Sequence, residues 1–407
     1  MRHDHTNWLV HFVRDRKPEQ DFPGATEEEA MSYAGGETEI DADAFTVLKT
    51  IIRLGGLIPG YSFRGGRTTI YGGKPAICAT EMPLYSFAQY AKSRNDTEKV
   101  SAYGIAFLKS EFYAAGGRPA IYGLSSGTTT FERNDPLVRI LSPEILPLSE
   151  QYRYVAYNPS QAGKWVDWSH EREWRWIARD ADMDEVWVQD HNGTYGSIPA
   201  LPLFKGSLDG RQFTKLCVIV WNNEEANEIR KLLTSFYLAG SNNYETPFDL
   251  NLIEQSAIIV LEDVIKAVEG GKIAEQTIEG LEQAKFLSPI AVAKPPENAE
   301  AIVLAAMVMA GAAAKAAVEK FSSKHGMGNG YCGFAHATTQ DVTAPIVQYL
   351  LSTGEASGPY DGSVWIEYPH NYAHSQSLDY NAAGCKAAAK ALSKALGIQV
   401  YVETRLD

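Results

Sequence analysis

Cysteine is scarce in this chain. Four residues, Cys78, Cys217, Cys332 and Cys385, are spread over 407 positions, and none shares a Cys-x-x-Cys spacing with another. A disulfide framework is therefore not expected, and neither is a Cys-x-x-Cys zinc module; free buried thiols are. Positive charge is short as well. Lys and Arg number 37 against 50 Asp and Glu, a net charge of −13. That argues against a protein that holds nucleic acid through a broad basic surface, though not against a local basic groove. The N-terminus has no signal-peptide apolar core. The most apolar stretch, Ala301 to Val318, is alanine-rich and contains Gly311 and Lys315. It reads as a buried helix rather than a membrane span. No internal repeat is evident. These absences point to a cytoplasmic protein with no membrane partner.

What is present describes an ordinary globular protein of two or three domains, with 45% hydrophobic and 21% charged residues. Trp8 to Val13 reads as a strand. Phe45 to Leu54 reads as a helix ended by Gly55-Gly56. A glycine-rich loop with Arg64 and Arg67 follows, then a short strand Ala76 to Thr80 and a helix Leu84 to Lys92. Further strands are expected at Tyr103 to Phe107, Pro119 to Tyr122 and Leu216 to Trp221, the last feeding a helix Glu224 to Leu238. Residues 1–245 thus read as an α+β domain. Residues 246–295 read as a helical connector, broken at Gly270-Gly271 and closed by a Pro295-Pro296 linker. Residues 296–407 alternate helix and strand and read as a small α/β domain.

The densest chemistry lies at Glu171-Arg172-Glu173-Trp174-Arg175-Trp176. Apolar and charged residues alternate there as on a half-buried strand, where residues two apart share a face. Glu171 and Glu173 would then sit side by side at the strand's beginning. Two carboxylates suit chemistry at a sugar's anomeric carbon: one stabilises an oxocarbenium-like transition state, and the other takes a proton from the incoming nucleophile. A solvated charge pair at a strand edge is the simpler alternative.

The order of segments resembles the ADP-ribosyltransferase superfamily over residues 7–235. The run comprises His11-Phe12 on the first strand, Gly55-Gly56-Leu57 after a helix, and the arginine-bearing glycine loop. Thr80-Glu81, Tyr103 to Phe107, Gly117 to Tyr122 and the Glu-x-Glu strand complete it. It is most similar to the DarT-like and AbiGi-like abortive-infection branch. The resemblance implies a two-sheet NAD-binding domain with NAD as co-substrate. His11 would bond the adenosine ribose, with Phe12 beside it. Arg64 or Arg67 would lie near the pyrophosphate or the nicotinamide ribose, and Thr80 would occupy the position of a strand hydroxyl. Glu173 would grip the ribose, and Glu171 would serve a macromolecular acceptor. Tyr85 is a further candidate for the nicotinamide side. Val13 stands where the first motif carries Thr or Ser.

The resemblance also implies a toxin-like role in antiphage defence, with a phage-derived trigger or an antitoxin as partner. Residues 296–407 would serve sensing, partner binding or target selection. An inactive NAD- or nucleotide-binding sensor and a plain interaction module are the alternatives. Cys332 with His336, and His370 with His374, share an i,i+4 spacing, but a zinc site needs three or four ligands. No metal is expected.

Overall fold

The structure, a computed structural model, describes residues 6–17, 41–64, 67–82, 84, 102–123, 129–131, 138–156, 169–178, 185–189, 195–205, 213–242, 244, 246–271, 277–290, 295–327, 330–342, 344–360, 363–373 and 375–406. Two compact units are present, Met1–Ile229 with Ser241–Ile290, and Arg230–Gly240 with Ala291–Asp407.

The first unit is organised by one mixed sheet. Its strands in chain order are β1 (Trp8–Val13), β2 (Ile77–Thr80), β3 (Tyr103–Leu108), β4 (Arg118–Pro119), β5 (Glu173–Trp176), β6 (Leu216–Val220), β7 (Ala257–Val260) and β8 (Leu287–Pro289). They lie in the order β8-β7-β6-β3-β1-β2-β5-β4. All neighbours run antiparallel except β6 and β7. In place of two comparable small sheets there is this eight-stranded one, joined by several two-stranded ladders. One ladder is the hairpin that pairs Arg64 with Arg67.

Helix α1 (Ala44–Leu54) starts where the Asp43 side chain accepts the Thr46 N–H and stops at Gly55, whose φ of 72° is the left-handed turn that glycine adopts freely. Helix α2 spans Asn223–Ala239. The expected helix Leu84 to Lys92, with Tyr85, lies outside the described residues apart from Leu84.

The segment 246–295 is not a helical connector. Ala257-Ile258-Ile259-Val260 is buried at every position and forms β7. A continuous β-branched run covered on both faces is what a strand beside a parallel neighbour requires. Helices α3 (Leu261–Glu269) and α4 (Ile278–Gln283) then return the chain to edge strand β8. Their Leu261, Val264, Ile265 and Leu281 pack with Trp8, Val10, Ala106, Cys217 and Ile259 in one core cluster.

The second unit contains α5 (Ala299–His325), β9 (Gly333–Thr339), α6 (Pro345–Thr353), β10 (Ala356–Tyr360), β11 (Ser363–Ile366), α7 (Leu378–Leu396) and β12 (Tyr401–Leu406). The sheet order is β10-β11-β9-β12, and every pair is antiparallel. From β9 onward this is a split β-α-β arrangement. The alternation of helix and strand expected for a small α/β domain is present. The sheet is antiparallel because β11 inserts between β9 and β10, so the strand joined by α6 never becomes a neighbour. Helix α5 packs along α7 through small residues. A Cβ on Gly384 would stand 2.8 Å from Val318 Cγ1, so a larger side chain there would push the two helices apart.

Membership of β7 in the large sheet is testable. Ile259 is fully buried. Ile259→Ala is expected to lower unfolding stability by about 2–5 kcal/mol in a denaturant titration. A loss below about 0.5 kcal/mol, typical of surface positions, would return the segment to a connector.

Candidate active site

Strands β1, β2 and β5 lie side by side, and they carry His11, Phe12, Thr80 and Glu173 of the residues singled out from the sequence. Val10 pairs with Thr80, and Thr80 pairs with Glu173. Glu173 and Arg175 face one side of the sheet. Trp174 and Trp176 face the other, where their indole N–H groups donate to Glu81 Oε1 and to the Ala115 carbonyl, both at 2.8 Å. Glu81 is also 3.3 Å from Lys109 Nζ. It belongs to this opposite-face polar network.

Glu171 departs from expectation. It lies in a 3-10 turn, Ser169–Glu171, and the strand begins only at Glu173. Between them Arg172 adopts φ 47°, a left-handed conformation that is strained for a side chain of its kind. The pleat that would align the two carboxylates is therefore interrupted. The Thr80 hydroxyl donates to the Glu171 carbonyl and accepts the Met82 N–H at 3.0 Å. Thr80 thus fastens the Glu171 turn to the end of β2.

The partner that Glu173 does have is Arg175. Arg175 Nε donates to Glu173 Oε1 at 2.8 Å and Nη2 to Oε2 at 3.3 Å. Its Nη1 donates to the carbonyls of Tyr152 and Tyr154 at 2.8 and 3.1 Å. The arginine side chain is 4% exposed and the glutamate 15%. Burial disfavours the charged guanidinium most, but the Glu173 carboxylate together with Cys78 and Tyr122 outweighs it, and Arg175 is held above the ordinary arginine pKa. A charge this deep persists only when its hydrogen bonds are made.

Cys78 pairs with Arg175 across the ladder. Burial first, and the Glu173 carboxylate second, push its thiol well above the usual range. It is no nucleophile at neutral pH. Tyr122 Oη accepts the Glu173 N–H at 2.9 Å. Burial raises its pKa to about 12, opposed by that N–H bond and reinforced by the Glu173 and Glu171 charges. Tyr122 therefore remains a phenol.

His11 is one position on from Val10 on β1. Its Nδ1 lies 2.8 Å from the Cys78 carbonyl. A carbonyl can only accept, so Nδ1 carries the proton. Burial lowers the ring's pKa, against the opposing effect of that bond. The imidazole is thus neutral and presents Nε2 as an acceptor. Phe12 packs against the core cluster of Trp8 and Val10 and lies across from Gly104. A Cβ on Gly104 would stand 2.8 Å from the His11 carbonyl, so only glycine lets β1 and β3 approach there.

The backbones of Arg64 and Arg67 form the hairpin already described. The residues around it, Tyr61 and Ile70, pack in the same cluster as Cys78, so the loop is anchored on the Glu173 side of β2. Tyr85 lies outside the described residues. In the second unit, the Cys332 to His336 segment is extended, so the i,i+4 spacing does not gather those side chains. His336 instead stacks on Trp365 with ring centroids 4.1 Å apart. Among the described residues no group of three or more His, Cys, Asp or Glu could hold a metal ion.

Sequence reading missed Arg175, Cys78 and Tyr122. The signal for Arg175 was available: it stands two residues from Glu173, the same-face spacing used to pair Glu171 with Glu173. Cys78 reaches the site through ladder register, and Tyr122 through the hydrogen bond its hydroxyl accepts from the Glu173 N–H.

Two measurements follow. Arg175→Met removes four hydrogen bonds and strands the Glu173 carboxylate, and is expected to cost about 3–5 kcal/mol of stability. Glu173→Gln leaves the guanidinium with a neutral partner and should cost about 1–3 kcal/mol. A double-mutant cycle with the two together should show coupling of at least about 0.5 kcal/mol; additive losses would show that the pair is not an energetic unit. The second concerns pH. Because the folded pKa of His11 lies below its ordinary value of 6.5, its contribution is complete above about pH 6.5 and is lost as pH falls through the folded value. His11→Gln should therefore flatten the stability profile as pH falls below about 6.5. Parallel profiles for the variant and the parent would remove this assignment.

No family model matches this chain, and no curated protein or solved structure compared with it gives a match.

Proposed function

We propose that this chain is an NAD-consuming ADP-ribosyltransferase, a toxin-like cytoplasmic effector of antiphage defence that modifies a macromolecular acceptor. One observation carries the reading. Adjacent strands set Val10 opposite Thr80 and Thr80 opposite Glu173, so the segments that carry His11, Thr80 and Glu173 meet from distant parts of the chain. A neutral imidazole that offers Nε2 suits a ribose hydroxyl donor. A carboxylate clamped in one orientation suits a second ribose hydroxyl beside developing positive charge. The strained Arg172 turn beside Glu173 fits a site where geometry is held against local preference.

In this mechanism NAD is the substrate. The bond between ribose C1′ and nicotinamide breaks, and its electron pair leaves with nicotinamide. Glu173 accepts the 2′-hydroxyl hydrogen bond and stabilises the oxocarbenium-like ribose. Arg175 fixes the carboxylate through both oxygens, each of which retains a further lone pair for substrate. The acceptor's nucleophile attacks C1′, and Glu171 receives its proton. Arg64 and Arg67, on the hairpin, are the groups proposed for the pyrophosphate.

A second reading has its own observation. Because Arg175 engages both Glu173 oxygens, the pair also suits a structural lock in an NAD-binding sensor without turnover.

The test is incubation with labelled NAD and cell lysate, following nicotinamide release and label on protein, RNA and DNA. Glu173→Gln, assayed below its melting temperature, is expected to lower release by about 10²–10³-fold. Glu171→Gln should reduce acceptor labelling more than NAD hydrolysis. Unchanged turnover in Glu173→Gln would remove the catalytic role. Saturable calorimetric NAD binding with no turnover would select the sensor.

A further inference from the structure

Helix α5 is apolar on both sides. Its buried side, including Val303, Ala306, Ala310 and Ala314, packs into the core of the second unit. Its opposite side is exposed and carries Leu304, Ala305, Val308, Met309, Ala312 and Ala316. Leu304 is 66% exposed, Val308 63% and Met309 47%. The four-residue steps from 304 to 316 keep these side chains in one stripe, roughly 18 Å long at 1.5 Å per residue. By length and composition the helix could cross a membrane, with a mean hydropathy of 2.0 over its best 18 residues, of which 39% are buried. A soluble helix that is apolar all round is ordinarily covered all round, and an exposed stripe of this kind marks an interaction surface.

Charge at the two ends of the stripe identifies the occupant. Glu300 is exposed at its N-terminal end, and Lys315, 3.9 Å from Glu319 of the same helix, is exposed near its C-terminal end. A second α5 laid antiparallel and centred on Val308 puts Glu300 of each helix level with Ala316 and beside Lys315 of the other. Both pairs then lie on the same flank, as a two-fold axis demands. A parallel copy would instead oppose Glu300 to Glu300 and Lys315 to Lys315, with aligned macrodipoles. Alanines at 305, 312 and 316 allow close approach, and Leu304, Val308 and Met309 supply the area. We propose that the chain is a homodimer joined by antiparallel packing of α5 on α5.

Sedimentation equilibrium of the full chain at micromolar concentration should return twice the 44.8 kDa chain mass. Val308→Glu places a charge at the centre of the stripe, where the parent side chain is mostly exposed. It should give the single-chain mass with unchanged circular dichroism and melting of the diluted protein. Glu300→Lys or Lys315→Glu alone should weaken dimerisation by roughly 5-fold, and the two together should restore it. That rescue belongs to antiparallel self-pairing and to no other occupant. A parent chain of single mass would overturn the proposal. So would a doubled mass that survives Val308→Glu, or charge variants that fail to rescue each other. If vesicles of neutral phospholipid bind the parent and lose it with Val308→Glu while the protein stays monomeric, the occupant is a membrane surface.

Discussion

The Arg175 guanidinium is the contact on which the candidate site depends. A buried cation on a short strand needs hydrogen-bond partners, and Arg175 makes four hydrogen bonds by reaching in two directions. Toward its own strand it takes the Glu173 carboxylate. Away from it, the carbonyls of Tyr152 and Tyr154 accept, which ties β5 to the 3-10 turn Leu148–Arg153 and to the residue that follows it. The orientation of Glu173 is therefore set by a group outside any substrate. Cys78 and Tyr122 line the same place with a protonated thiol and a protonated phenol, so the permanent charges at this point are the arginine and the carboxylates.

The opposite face of β5 has a different function. Trp174 and Trp176 hold the strand down through indole hydrogen bonds to Glu81 and Ala115. The Glu-Trp-Arg-Trp alternation thus divides one strand into a polar, chemically equipped face and an aromatic, anchoring face. Thr80 joins the arrangement from β2 by bonding the Glu171 carbonyl. The turn before β5 and the end of β2 are consequently one structural feature.

Much of the first unit was legible because its signals are local. Trp8 to Val13, Phe45 to Leu54 with its glycine cap, and the Glu173 to Trp176 alternation follow from period and capping, and the structure contains each of them. Two readings failed for instructive reasons. Residues 257–260 look helical when taken with the helices that flank them, and only burial beside β6 reveals a strand. Glu171 looks aligned with Glu173 only if the backbone between them is extended, and the positive φ of Arg172 has no signature in an ordinary Glu-Arg-Glu run. The pairing of β11 between β9 and β10 likewise depends on long-range register, which local alternation does not encode. The Arg175 spacing is readable, but a two-residue spacing alone does not tell which same-face neighbour Glu173 takes as its partner.

The order of strands in the large sheet also sets an order of events during synthesis. β1 is the fifth strand across the sheet although it is first in the chain, and its neighbours β2 and β3 are made about 70 and 95 residues later. The Glu173 strand follows, but the far edge is finished only when β7 and β8 arrive at residues 257–289. Until then β3 and β6 present fully apolar flanks such as Ala106, Cys217 and Ile219, which β7, α3 and α4 later cover. A nascent chain halted before residue 257 would carry the His11, Thr80 and Glu173 segments on a sheet with an uncovered edge, a state prone to aggregation. Completion of the candidate site is thereby linked to translation well beyond its last residue.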